Sequence, residues 1–196
     1  MAEAWPSALI PSDMRWGIET NTLGLESPWT RSGQFYRMQG ARWVCQVTFR
    51  NLDDARARNL QGFLDHLAGP IRVVALPVWI QGELRGNAAG TILATGAAHS
   101  INVSLTGITG PNPAFQRGDL ISIGGRLHRI TAGGAHTAGT AAVSVAPPLR
   151  EAASNTAVVV SDMTCPMRLV GDDEVMGRFR PKPFGDFNLS FVEALP

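Results

Sequence analysis

RWVCQVTFRNLDDARARNLQGFLDHLAGP, residues 42–70, is the stretch on which the fold turns. Its first nine residues alternate. Trp43, Cys45, Val47 and Phe49 stand against Arg42, Gln46 and Thr48, the period of a half-buried strand. Val44 is the one apolar residue on the polar side, so that side is expected to be partly covered. The period then changes. Leu52, Leu60, Phe63, Leu64 and Leu67 fall on one helical stripe, with Ala55 and Ala68 expected to allow close approach and Arg56, Arg58 and Asp65 on the wetter side. Asn51 is the expected cap, and Asp53 and Asp54 supply negative charge to the first turn. Gly69–Pro70 closes the helix.

Outward from this unit, Ile71 to Ile80 predicts a strand, and Pro77 places it at a sheet edge or a bulge. Upstream, Met14, Trp16 and Ile18 alternate with Arg15 and Glu19 in a strand over 14–20, and Gln34 to Met38 predicts another, turned at Gln39–Gly40. Residues 1–13, with two prolines and little periodicity, predict an extended arm lying on a neighbouring surface. From Gly82 to about Ala142 the chain turns rich in Gly, Ala, Thr and Ser with short β-prone runs. Ile101 to Leu105, Asp119 to Ile123, Arg126 to Ile130, Val143 to Val145 and Ala157 to Val160 are candidate strands, and Gly124–Gly125 is a two-residue hairpin signal. After Ser161, strands are expected at Met167 to Val170 and Phe187 to Val192. A last strand cannot stand alone, so it must complete the sheet begun before residue 80. Residues 82–160 are then an inserted β module with adjacent ends, and 1–81 plus 161–196 form one domain.

Bulk properties agree. Across 196 residues, 21 Gly and 13 Pro favour frequent turns and short elements, hence a mainly β fold. With a formal net charge of +1 and no basic stripe, sequence-specific nucleic-acid binding is not expected. Cys45 and Cys165 form no CxxC pair, and Cys45 lies in an apolar strand pattern. No signal peptide and no 18-residue apolar segment is visible, so a soluble protein made in a reducing compartment, without membrane insertion, is expected.

Residues that could carry chemistry are scattered. His66 falls on the helix and His128 in a hairpin strand with Arg126 and Ile130, while His99 and His136 have no acid near them in sequence. There is no HExxH and no Cys-x-x-Cys, and Asp172–Asp173–Glu174 reads as a solvated turn. The glycine clusters at 107–110, 124–125 and 133–134 fit β-turns better than phosphate loops. No catalytic residue, cofactor or metal ligand is therefore assigned, and an enzyme is not expected. The early tryptophans Trp5, Trp16 and Trp29, together with Pro77, are the candidate interface residues, the alternative being that they cover the domain's own core.

Four segments carry a resemblance: PSDMRWGIETNT (11–22), GARWVCQVTFRNLDDARARNLQGFLDHLAGP (40–70), GDLISIGGRLHRI (118–130) and FGDFNLSFVEAL (184–195). Their order resembles the distal tail protein, a baseplate hub component of long-tailed bacteriophages. The resemblance implies a β-sandwich-like ring-forming domain with one helix, assembling as a hexamer. It implies that residues 82–160 form a peripheral barrel of the oligonucleotide-binding-fold kind. It further implies contacts with the tail tube protein, the tape-measure protein and receptor-binding proteins, and a place at the virion tail tip after synthesis in the host cytoplasm. Two alternatives remain at this point: another minor tail or tube-like subunit, and a non-enzymatic module binding host-surface glycan. The few aromatics in 82–160 count against the glycan role.

Overall fold

The computed structural model describes residues 2–79, 84–171, 178–179 and 185–195. The acidic run at 172–174 lies outside the described residues, as does the expected module boundary at 81/82.

The 42–70 stretch folds as strand β5 (Arg42–Leu52) followed by helix α1 (Asp54–Leu67). The apolar half of β5 faces inward, with Trp43, Cys45, Val47 and Phe49 all buried. Two details of the helix differ from expectation. The cap is Asp53, whose carboxylate accepts the Arg56 N–H at 2.7 Å, while Asn51 sits inside the strand's end at φ 55°. An aspartate at that position satisfies an orphan donor and also meets the positive end of the helix dipole. The small residue that brings the helix close to the core is Ala57; Ala55 and Ala68 are exposed.

Ala68 ends the helix in the left-handed region, φ 52° and ψ 53°, with its N–H donating to the Asp65 carbonyl. Only glycine occupies that region without a Cβ penalty. Ala68→Gly is therefore expected to raise the unfolding free energy by about 0.5–1 kcal/mol, measurable as a higher midpoint in urea. An unchanged or lower midpoint would show that strain at this turn is negligible.

Around this unit lie β1 (Glu3–Ala4), β2 (Asp13–Glu19), β6 (Val74–Pro77), β13 (Thr164–Leu169), β14 (Arg178–Phe179) and β15 (Gly185–Glu193). With β5 they make one seven-stranded sheet in the order β1-β6-β13-β15-β5-β2, with β14 paired to β15. The two halves of the chain thus share a sheet, since β15 and β13 come from the C-terminal part. The long ladder of β15 on β5 runs from Val192↔Val44 to Gly185↔Leu52. Residues 2–12 are not a free arm: β1 pairs in parallel with β6, and Trp5 and Leu9 are buried in the sheet's own core. Two buried apolar side chains and a short ladder outweigh the arm's lack of periodicity. Pro77 is the last residue of β6, beyond the reach of β1, which covers only Val74 and Ala75. A residue without an N–H fits there because no partner strand waits on that side.

Residues 84–160 form a second core. Strands β7 (Leu93–Gly96), β8 (Asn102–Thr106), β9 (Leu120–Ile123), β10 (Arg126–Gly133), β11 (Ala141–Ala146) and β12 (Ala153–Val159) close into a barrel in the order β10-β11-β8-β7-β12-β9. Neighbouring strands in it pair antiparallel, and Gly124 and Gly125, at φ 58° and 76°, make the tight turn between β9 and β10. Positive φ at both central residues is the turn whose twist matches a two-residue hairpin. An oligonucleotide-binding barrel has five strands; this one closes with six. Its interior holds Ile92, Val103, Leu105, Phe115, Ile121 and Ile130.

The fold is thus mainly β with one helix, a sheet domain split by an inserted closed barrel. The layer over the inner face of the sheet is α1 together with the β9–β10 wall, since Leu120 and Leu127 belong to the sheet's core cluster. Among the described residues, β3 (Thr22–Glu26) and β4 (Gly33–Arg37) pair only with each other, and every residue in them is exposed.

Candidate functional site

Three places concentrate structure that the sequence pattern left open: the junction between sheet and barrel, the projecting β3–β4 hairpin, and the outer face of the sheet.

At the junction, Glu193 is buried at the end of β15. Its Oε2 accepts the Trp43 backbone N–H at 3.0 Å, and Oε1 lies 3.4 Å from an Arg126 guanidinium nitrogen. Arg150 approaches to 3.8 Å and donates to the Ala41 carbonyl at 2.6 Å. Both arginines come from the barrel, so one carboxylate on the sheet holds two cations of the inserted module. Trp43 completes the joint. Its indole N–H donates to the Leu127 carbonyl at 2.7 Å, and the Arg129 guanidinium lies 5.0 Å from the ring centroid. Trp16 meets its edge at 5.8 Å. A hydrogen bond, a cation–π contact and buried ion pairs thus converge on two residues.

Within the barrel, Asp119 performs a comparable role for the entering chain. Its buried carboxylate accepts N–H groups of Gln116 at 2.8 Å, Gly86 at 3.2 Å and Arg85 at 3.3 Å. The sequence pattern marks Asp119 only as a strand start, because two of its three donors, Arg85 and Gly86, lie 34 and 33 positions away.

The histidines are not brought together. His66 is exposed on α1 beside Arg72, and His99 is exposed in the β7–β8 loop. His136 holds Asn112 and the Gly110 carbonyl in a barrel loop. His128 is buried with Ile130, and its Nδ1–H donates to the Pro147 carbonyl at 2.8 Å. Burial lowers the His128 pKa from its ordinary value; the Pro147 hydrogen bond opposes this, and Arg126 and Arg150 reinforce it. The neutral ring is thus favoured by the fold. Its contribution is complete above the unfolded pKa, near 6.5, and is lost as pH falls from there toward the folded value. Unfolding midpoints of the wild type are expected to drop more between pH 7 and 5 than those of His128→Asn, which keeps a donor without titrating. Parallel pH profiles would show that His128 does not contribute.

Cys45 and Cys165 are both buried thiols facing the core. They lie on β5 and β13 with β15 between them, and the registers put Cys45 level with Leu169, so the two are more than two strand spacings apart, too far for a disulfide. Burial pushes the Cys45 thiol up to about 12 and raises Cys165 as well. Among the described residues, no group of three His, Cys, Asp or Glu is placed to hold a metal, and no helix is long and apolar enough to cross a membrane.

The four candidate interface residues occupy different environments. Trp5 is spent in the core, stacked on Phe49 and edge-on to Phe63, Trp79 and Phe191, with its indole N–H on the Leu9 carbonyl. Trp16 and Pro77 are half-buried. Trp29, at the tip of the β3–β4 hairpin, is 93 % exposed. It heads a group that the sequence pattern did not collect: Leu23, Leu25, Phe35, Tyr36 and Met38 are also exposed on this hairpin. Leu23 faces Tyr36 on one side, and on the other the Phe35 ring covers Gly24 and Gly33. The alternation in TLGLE (22–26) was the available signal for β3, weakened by its central glycine.

The outer face of the sheet carries the third feature. Asp13, Arg15 and Gly17 of β2 register against Thr48, Gln46 and Val44 of β5. Gly17, Val44 and Val170 line an open groove of about 520 Å³, together with Arg15, Gln46 and neighbouring residues of β2, β5 and β15. Against known proteins, no protein-family model matches the chain and no curated protein does either.

Proposed function

We propose that this chain is a structural subunit of a phage tail tip, building a hexameric ring that joins the tail tube to receptor-binding proteins. The observation that carries this reading is the exposed β3–β4 hairpin, with Leu23, Leu25 and Tyr36 on one face and Phe35 on the other, attached to a firmly jointed two-part body. A two-stranded hairpin has little stability in water by itself, and exposed apolar groups of this size mark interaction surfaces. The split sheet domain with an inserted barrel agrees with the order of segments that resembles the distal tail protein. The sheet domain would form the ring, and the barrel would stand at its periphery. The Glu193 joint supports that division, because it would hold every barrel at one angle to its ring.

Mass determination of the purified full-length chain, combined with negative-stain imaging, tests the proposal. Closed rings with a central channel are the expected result. A monomeric mass at several hundred micromolar would count decisively against it.

A further inference from the structure

We infer that the tip of the β3–β4 hairpin seats in the outer-sheet groove of a second copy of this chain, with Trp29 as its anchor and Gly17 as the floor beneath it. This rests on the assembly role proposed above and gives it a specific contact.

Both halves of the contact are present and unsatisfied on one molecule. The hairpin offers Trp29, Leu25 and Phe35 to solvent, and among the described residues β3 and β4 pair with no other strand. The groove offers Gly17, Val44 and Val170 in a lining that also carries Arg15 and Gln46. Gly17 leaves the space open because a glycine has no side chain to fill it.

Size and charge fit a second copy. Each hairpin strand has five residues, about 17 Å long, and the four strands β2, β5, β15 and β13 span about 14 Å across. Aromatics bury roughly 150–250 Å² each when covered, so Trp29 with Tyr36, Leu23 and Leu25 on one hairpin face supplies about half of the ~800 Å² per partner of a stable interface. The tip carries one acid, Glu26, and one base, Arg31; the rim of the sheet face carries Arg15 and Asp13. Crossed pairing of Glu26 with Arg15 and of Arg31 with Asp13 fixes the orientation. Hairpin and groove are different surfaces, so the contact is head-to-tail, the kind that closes into a ring when its rotation permits.

Two variants separate this contact from folding. Trp29→Ser changes a side chain that the monomer leaves in solvent. Gly17→Leu fills the groove, and a Cβ at Gly17 meets only the Val44 side chain at an ordinary 3.6 Å. Each is expected to weaken self-association by roughly 30-fold or more, as loss of an interface anchor does, with unfolding midpoints at or above wild type. The measurement is sedimentation or mass photometry of the full chain across a concentration series. In a third arm, a copy carrying Trp29→Cys is mixed with one carrying Gly17→Cys and oxidised. The native cysteines are buried, so a cross-linked dimer appearing only in the mixture is expected. If the wild type assembles while both variants assemble equally well and no mixed cross-link forms, this contact is wrong although the assembly role stands. A wild type that remains monomeric overturns both.

Discussion

Replacing Glu193 by Ala is expected to lower the unfolding free energy by about 3–5 kcal/mol, the loss typical of breaking a buried charge network from one side. The reason lies in what is left behind. Arg126 and Arg150 are each about four-fifths buried, and without the carboxylate both guanidinium groups lose the anion they share. The Trp43 backbone N–H also loses its acceptor. Glu193→Gln keeps an acceptor for that N–H but removes the charge, so it should fall between Ala and the wild type. The signature to look for in a denaturant titration goes beyond a shifted midpoint. With the joint weakened, the barrel and the sheet should cease to unfold together, and tryptophan fluorescence and far-UV circular dichroism should give separate transitions. A loss below about 1 kcal/mol would place the network among ordinary surface ion pairs.

Trp43→Ala is expected to cost a similar amount, about 3–5 kcal/mol, for a different reason. The side chain is fully buried and fills the space between β2, β5 and the barrel wall. Truncation leaves a cavity and also strips the Leu127 carbonyl of its donor. Trp43→Phe separates the two contributions, because it keeps most of the ring but not the N–H; its loss should be about 1–3 kcal/mol, the cost of an unsatisfied buried acceptor. The Trp43–Glu193 hydrogen bond uses the Trp43 backbone N–H, which Trp43→Ala keeps, so the two losses should nearly add in the double variant. A shortfall from additivity of more than about 0.5 kcal/mol in urea unfolding would show that the two side chains are coupled through the joint.

Much of the fold was legible because periodicity reports burial directly. The alternation in β5 and β15 and the stripe on α1 each have one face to satisfy, and each appears where the residues place it. The inserted barrel was legible from turns, above all Gly124–Gly125. What escaped was everything decided by tertiary partners. The N-terminal segment has no period, yet Trp5 finds four aromatic neighbours from four other parts of the chain. Glu193 reads as one acid near the end of a strand until Arg126 and Arg150 arrive from far away in sequence. The capping role passed from Asn51 to Asp53 because the strand runs two residues further than its alternation suggested. Among the candidate interface residues, the sequence placed Trp5 and Trp29 together as early aromatics. Burial sends them to opposite environments.

The adjacency of Pro77 and Thr164 across β6 and β13 has a kinetic consequence. The Trp43–Glu193 bond joins groups 150 residues apart, and closing so long an unstructured loop is slow and entropically costly. A barrel that has already folded holds its two ends near each other; it roughly halves that loop and cuts the closure of β6 onto β13 at Pro77 and Thr164 to roughly ten residues. The order of events should therefore be barrel first, sheet second. In pulse-labelled hydrogen exchange during refolding, amides of Val103, Leu105 and Val145 should gain protection before those of Cys45, Val47 and Leu189. Simultaneous protection of both sets would mean that the sheet nucleates without this shortcut.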